Sequence, residues 1–206
     1  MTSPRLAVSL SALALAAGLT ACSSMDGSKS SAAPAPRDGE LAMPANYTAW
    51  PVFMAGIQKK EARQIRDIYV NKIGTQAKAG GPFPNGTEFV MEIYSVKLNA
   101  DGTPALDASG NMSKDKLSKV FLMAKGAGWG DSVPAALRNG DWIYTAFEGN
   151  GTRGAADQSS CRACHLPQAD KDFVFHYDAW FKQRASGAPL TPMSQMQAMA
   201  AAHAVY

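Results

Sequence analysis

Residues 87–98 read Thr-Glu-Phe-Val-Met-Glu-Ile-Tyr-Ser-Val-Lys-Leu. Successive side chains of a strand point to opposite faces. Phe89, Met91 and Ile93 therefore share one side, and Glu88, Glu92 and Tyr94 the other. An apolar row backed by a charged one is the pattern of a half-buried β-strand. Outward from it, residues 119–125 (KVFLMAK) and 141–148 (DWIYTAFE) predict further strands, being rich in β-branched and aromatic residues. Residues 63–70 (RQIRDIYV) fit strand or helix by pattern alone. Asn85-Gly86 and Asp101-Gly102 signal turns. The polar stretch 99–118 reads as a long loop, and 149–160 (GNGTRGAADQSS) as another. Phe173-Val174-Phe175 predicts a short strand and residues 177–186 a helix; no internal repeat is visible.

The chain has 206 residues, which suits one domain with a tail. With 46% hydrophobic and 18% charged residues, most of it is expected to fold. The net charge is only +3 and no basic cluster tracks a phosphate backbone, so nucleic acid is not an expected partner.

Cys161-Arg162-Ala163-Cys164-His165 is a CxxCH. Two thiols at this spacing can each add to a vinyl group of one porphyrin, and the histidine that follows is delivered to the iron. A zinc site would want a second pair of ligands at metal spacing, and the sequence has none. A thioredoxin-like redox pair would want an early βαβ unit; this motif lies late, after a Gly-rich stretch. The expectation is one haem c, covalent through Cys161 and Cys164, with His165 as metal ligand.

The start of the chain agrees with that chemistry, since c-type haem is attached outside the cytoplasm. Arg5 precedes an uncharged apolar run from Leu6 to Leu19, followed by small residues. That layout is a secretory signal peptide. As a helix the run reaches only ~21 Å, short of a hydrocarbon core of about 30 Å. Leu19-Thr20-Ala21-Cys22 resembles a bacterial lipobox, which makes Cys22 the expected lipid attachment site. Residues 1–21 are thus read as signal peptide and 22–40, rich in Ser, Ala and Pro, as a flexible tether. A haem domain is expected over 41–186 and a helical tail over 187–206. Periplasmic location follows, with the lipid as sole membrane contact. By resemblance to Gram-negative lipoproteins, Ser23 rather than Asp after the cysteine favours the outer membrane.

The succession IRDIYV, FPNGT, a strand with an acidic residue, DWIYTAFE, CRACH and DFVF resembles the cytochrome P-460 family over about residues 47–181. These are small periplasmic c-type haem proteins, with the cytochromes c′-β as relatives. The resemblance implies an α+β fold: an antiparallel β-sheet flanked by helices, with haem against the sheet, usually as a homodimer. It is not the all-α cytochrome c fold.

By the same resemblance, members that oxidise hydroxylamine carry a lysine bonded to the porphyrin edge and a distal glutamate. Here Met91 stands at the lysine position and Met123 at the glutamate position, while the arginine of the IR-x-x-Y segment is kept as Arg66. A glutamate can take protons from a bound substrate and a thioether cannot. Met91, Met123 and Phe89 are therefore expected to line an apolar haem pocket. Each methionine reads either as core filling or as a sixth iron ligand. Arg66 is either a surface side chain or a distal hydrogen-bond donor to bound nitric oxide or an oxyanion. His176 either reaches the haem or caps a helix. His203 and the methionines 193, 196 and 199 belong to the tail. Trp129, Trp142 and Trp180 read as core or dimer contacts.

The expected function is an exported c-type haem protein that binds a small nitrogen ligand, nitric oxide or hydroxylamine. The alternatives are an electron-transfer cytochrome with a methionine sixth ligand, or a hydroxylamine or nitric oxide oxidoreductase. A redox partner is expected, but the sequence does not identify it.

Overall fold

The structure is a computed structural model that describes residues 34–187. The signal segment, Cys22, His203 and the tail helix expected over Leu190–Tyr206 lie outside the described residues. Five strands form one antiparallel meander in sequence order: β1 (Val52–Lys59), β2 (Gln64–Val70), β3 (Glu88–Val96), β4 (Lys114–Lys125) and β5 (Trp142–Glu148). Two short helices follow, α1 (Ser159–His165) and α2 (Tyr177–Ala185). The fold is α+β and not all-helical.

Register gives the sheet two faces, because paired residues of antiparallel strands point the same way. On the front, Val70, Phe89, Met123 and Tyr144 form one row across β2 to β5. Ile68, Met91, Phe121 and Ala146 form the next, and Arg66 begins a third beside Ile93. On the back, Tyr69, Val90, Leu122 and Thr145 make one row, and Asp67, Glu92, Val120 and Phe147 another. Each face has its own core. The front row packs with Phe53, Phe83, Trp142 and Trp180, all at most 1% exposed. The back packs Val90, Leu122 and Ile143 under Leu41, Tyr47 and Trp50. Burying one such side chain contributes roughly 1.5–3 kcal/mol.

Five readings of the sequence change. Residues 63–70 resolve to strand β2. Strand β1 was not foreseen, because its alternation breaks at register shifts between Val52 and Ile57. There Gly56 takes a positive φ of 65° and donates its N–H to the buried Asp67 carboxylate (2.9 Å). Strand β4 starts at Lys114, so residues 114–118 are strand and not loop; 97–113 form a turn-rich excursion with isolated bridges Leu98–Pro104 and Leu106–Met112. Phe173-Val174-Phe175 is not a strand. Asp172 and Phe173 adopt left-handed φ values of 53° and 61°, incompatible with extended pairing. Compositional reading also placed residues 34–40 in the tether. They hydrogen-bond to β5 instead: Gly39 N–H donates to the Tyr144 carbonyl (2.7 Å), and Asp38 Oδ1 accepts the Tyr144 N–H (2.9 Å).

Candidate functional site

The CxxCH lies on α1, a seven-residue helix, and one buried side chain docks it. Arg162 is 2% exposed. Its Nε and Nη2 donate to Asp38 Oδ2 (2.5 Å) and Oδ1 (2.8 Å), and Nη2 also reaches the Trp142 carbonyl (3.2 Å). Asn139 Nδ2 donates to the Arg162 carbonyl (3.2 Å). With Arg162 turned into the protein, the flanking cysteines face the other way. Cys164 is exposed and Cys161 partly buried; both thiols are free. Burial pushes the Cys161 thiol up, and its Sγ lies 3.4 Å from Gln158 Oε1.

Between α1, the turn at 172–176 and the front of the sheet lies a cavity of about 410 Å³. That is within the ~300–1,000 Å³ range of ligand clefts. Cys161, Cys164 and His165 line one wall. Phe89, Met91, Phe121 and Met123 line the sheet wall, with Ile68 between Met91 and the β1 edge. Arg66, Lys59 and His176 also line it. The structure thus brings Arg66, Phe89, Met91, Met123, Cys161, Cys164, His165 and His176 to one cavity. Lys59, Phe121 and Tyr144 were missed. Lys59 sits at the end of the unforeseen strand β1, and no motif marks the other two. Trp142 and Trp180 are core, at 0% and 1% exposure, and Trp129 packs against the back cluster.

His165 is held from two sides. Its Nδ1 lies 2.6 Å from the Phe173 carbonyl oxygen. A carbonyl only accepts, so Nδ1 carries the proton and Nε2 keeps its lone pair. The Tyr144 ring stands 5.2 Å from the imidazole, and Phe175 meets it edge-on at 5.0 Å. Burial lowers the His165 pKa, against the raising effect of the Phe173 hydrogen bond, so the neutral ligating form is favoured. The strained turn is what supplies that carbonyl. Asp172 is fixed by Lys125 Nζ (2.9 and 2.8 Å) and by the Phe83 N–H (2.8 Å).

This donor set fits a haem. Two thiols on one wall, the His165 imidazole with a free Nε2, apolar side chains opposite and cations at the edge are what a porphyrin with carboxylate arms needs. Among the described residues no three His, Cys, Asp or Glu converge as a metal site. The buried Tyr144 hydroxyl and Arg66 Nε have no partner among the described residues. Searched against curated proteins, the chain matches none. The family model for cytochrome P460 matches residues 44–176, from the segment before β1 to the last residue of the 172–176 turn. With close to two thirds of its length inside that match, the chain belongs to the cytochrome P460 family and is a c-type haem protein.

Proposed function

We propose that this protein holds one haem c through thioether bonds from Cys161 and Cys164, with His165 as proximal ligand, and takes a small nitrogen ligand such as nitric oxide on the sheet side. One observation carries the reading: His165 Nδ1 is committed to the Phe173 carbonyl while the ring lines the cavity, leaving Nε2 as its free donor. Haem, when bound, supplies an iron with a position for a diatomic ligand. The protein's own residues do the rest. Phe173 orients the imidazole, and Met91, Phe121 and Phe89 exclude water from the sheet side. Arg66 offers a guanidinium donor. No carboxylate is among the described lining residues, so proton removal from a substrate such as hydroxylamine would be left to the His176 imidazole; the lack of a carboxylate favours binding over oxidation.

Electron transfer is the second reading, favoured by the placement of Met91 and Met123 in the same cavity as His165. Met123 is packed between Phe89 and Tyr144 and is 8% exposed, whereas Met91 is only partly buried. Met91 is therefore the better candidate for a sixth ligand. The deciding experiment is the visible and resonance Raman spectrum of the ferrous holoprotein with and without nitric oxide. A five-coordinate, high-spin iron that takes up nitric oxide supports the first reading. A six-coordinate, low-spin iron that ignores it overturns that reading, and its conversion to high spin in Met91→Leu establishes the second.

We further infer export and lipidation at Cys22, from the apolar run and lipobox-like sequence, and a homodimer from family likeness. Mass spectrometry of the membrane-derived protein and sedimentation of the detergent-free domain test these two points.

A further inference from the structure

We propose that Lys59, Arg66 and His176 form a binding rim for an anionic oxygen group at the edge of the haem cavity. The inference rests on the haem reading above and adds a ligand class to it. All three side chains line the one cavity, and none of its described lining residues is an Asp or Glu. Among the described residues, neither Lys59 nor Arg66 has an acidic partner within ion-pair distance, whereas Lys114, Lys125 and Arg162 all do. Arg66 is the most telling. Among the described residues its Nη2 donates to the neutral Gln64 Oε1 (3.0 Å) alone, and its buried Nε finds no acceptor. Buried donors in folded proteins are nearly always satisfied. The Arg66 side chain lines the cavity with no acidic partner among the described residues, and its fork suits a carboxylate or similar oxyanion. The three cations also act on one another. Burial lowers the His176 pKa first, and the charges of Lys59 and Arg66 lower it further. An anion among them relieves that repulsion.

Two sources share this chemistry: the haem's own carboxylate arms, and a free oxyanion such as nitrite. The test uses the full-length holoprotein, with covalent haem first established by its pyridine haemochrome and its mass. Lys59→Gln, Arg66→Gln and Arg66→Lys are then compared with wild type by resonance Raman of the haem carboxylate bands and by nitrite titration of the ferric protein. Lys59 is exposed, so its replacement leaves the fold intact. If the haem arms occupy the rim, the carboxylate bands shift in both Gln variants and nitrite affinity stays within about two-fold. If a free oxyanion does, the bands stay and nitrite affinity falls about ten-fold, with Arg66→Lys recovering only part, because a point charge replaces a fork. A loaded protein in which neither band nor affinity moves overturns the rim alone. A chain that carries no haem overturns the haem reading and the rim with it.

Discussion

Arg162 and Asp38 stand 124 residues apart in sequence and form a two-pronged ion pair behind the CxxC turn. The guanidinium is 2% exposed and the carboxylate 21%. Asp38 also accepts the Tyr144 N–H (2.9 Å), so one side chain ties the N-terminal segment, β5 and α1 together. Arg162, the first of the two residues between the cysteines, thus anchors α1 and with it the thiols at the cavity wall.

Removing one partner of such a pair leaves the other charge buried. Asp38→Ala is expected to cost about 3–5 kcal/mol in urea unfolding. The double variant Asp38→Ala/Arg162→Met is expected to recover part of that loss, because no unpaired charge then remains. A double variant that loses the sum of the two single changes would show that the pair is not coupled.

The turn that presents the Phe173 carbonyl is held by an ion pair of similar burial. The Lys125 and Asp172 side chains are 11% and 13% exposed. Asp172→Ala is expected to destabilise by about 3 kcal/mol or more, through the stranded Lys125 and the left-handed φ of 53°. Asp172→Asn keeps an acceptor for the Phe83 N–H and tolerates that φ, so a smaller loss is expected. Thermal unfolding of the two variants side by side checks the order.

Close backbone approach gives a sharper contrast. A Cβ on Gly130 would lie 1.8 Å from the Gly140 carbonyl oxygen, and neither backbone has room to yield. Gly130→Ala is expected to cost at least ~2–3 kcal/mol. At Gly81 the nearest atom is the Lys78 carbonyl oxygen at 3.6 Å and φ is not positive, so Gly81→Ala is expected within about 0.5 kcal/mol of wild type. Denaturant midpoints of the two proteins decide it.

The sequence made strand β3 and the CxxCH legible because both are local patterns: a period of two and a fixed spacing. From Phe89 and Met91 the front of the sheet followed, and with it the wall of the cavity. Lys59 was not legible, because the bulge around Gly56 hides the strand that carries it. Nor was the role of Asp38. Its segment has the composition of a linker, and only a partner 124 residues away gives it a place. Phe173-Val174-Phe175 misled for the converse reason. Its β-like composition yields to a strained turn fixed from outside by Lys125.

The back of the sheet carries a second buried anion, away from the cavity. Glu92 is 4% exposed and accepts three tyrosine hydroxyls: Tyr47 on Oε1 (2.9 Å), and Tyr69 (2.9 Å) and Tyr94 (2.8 Å) on Oε2. Burial and the Glu92 charge together push all three hydroxyls above their ordinary pKa of 10.0. The folded protein therefore keeps these protons at a pH where the unfolded chain has begun to lose them. With more protons on the folded state, stability falls as pH rises. The contribution is complete below pH 10, where tyrosines of the unfolded chain are protonated, and is lost progressively above it. Equilibrium denaturation between pH 8 and 11 should show a plateau and then a decline. Glu92→Gln exchanges three charge-assisted bonds for neutral ones at an expected cost of about 2 kcal/mol at pH 8. With its charge gone the hydroxyls release protons at lower pH, so the decline above pH 10 should be shallower than in wild type. A decline of unchanged slope in Glu92→Gln would assign the shift to burial alone.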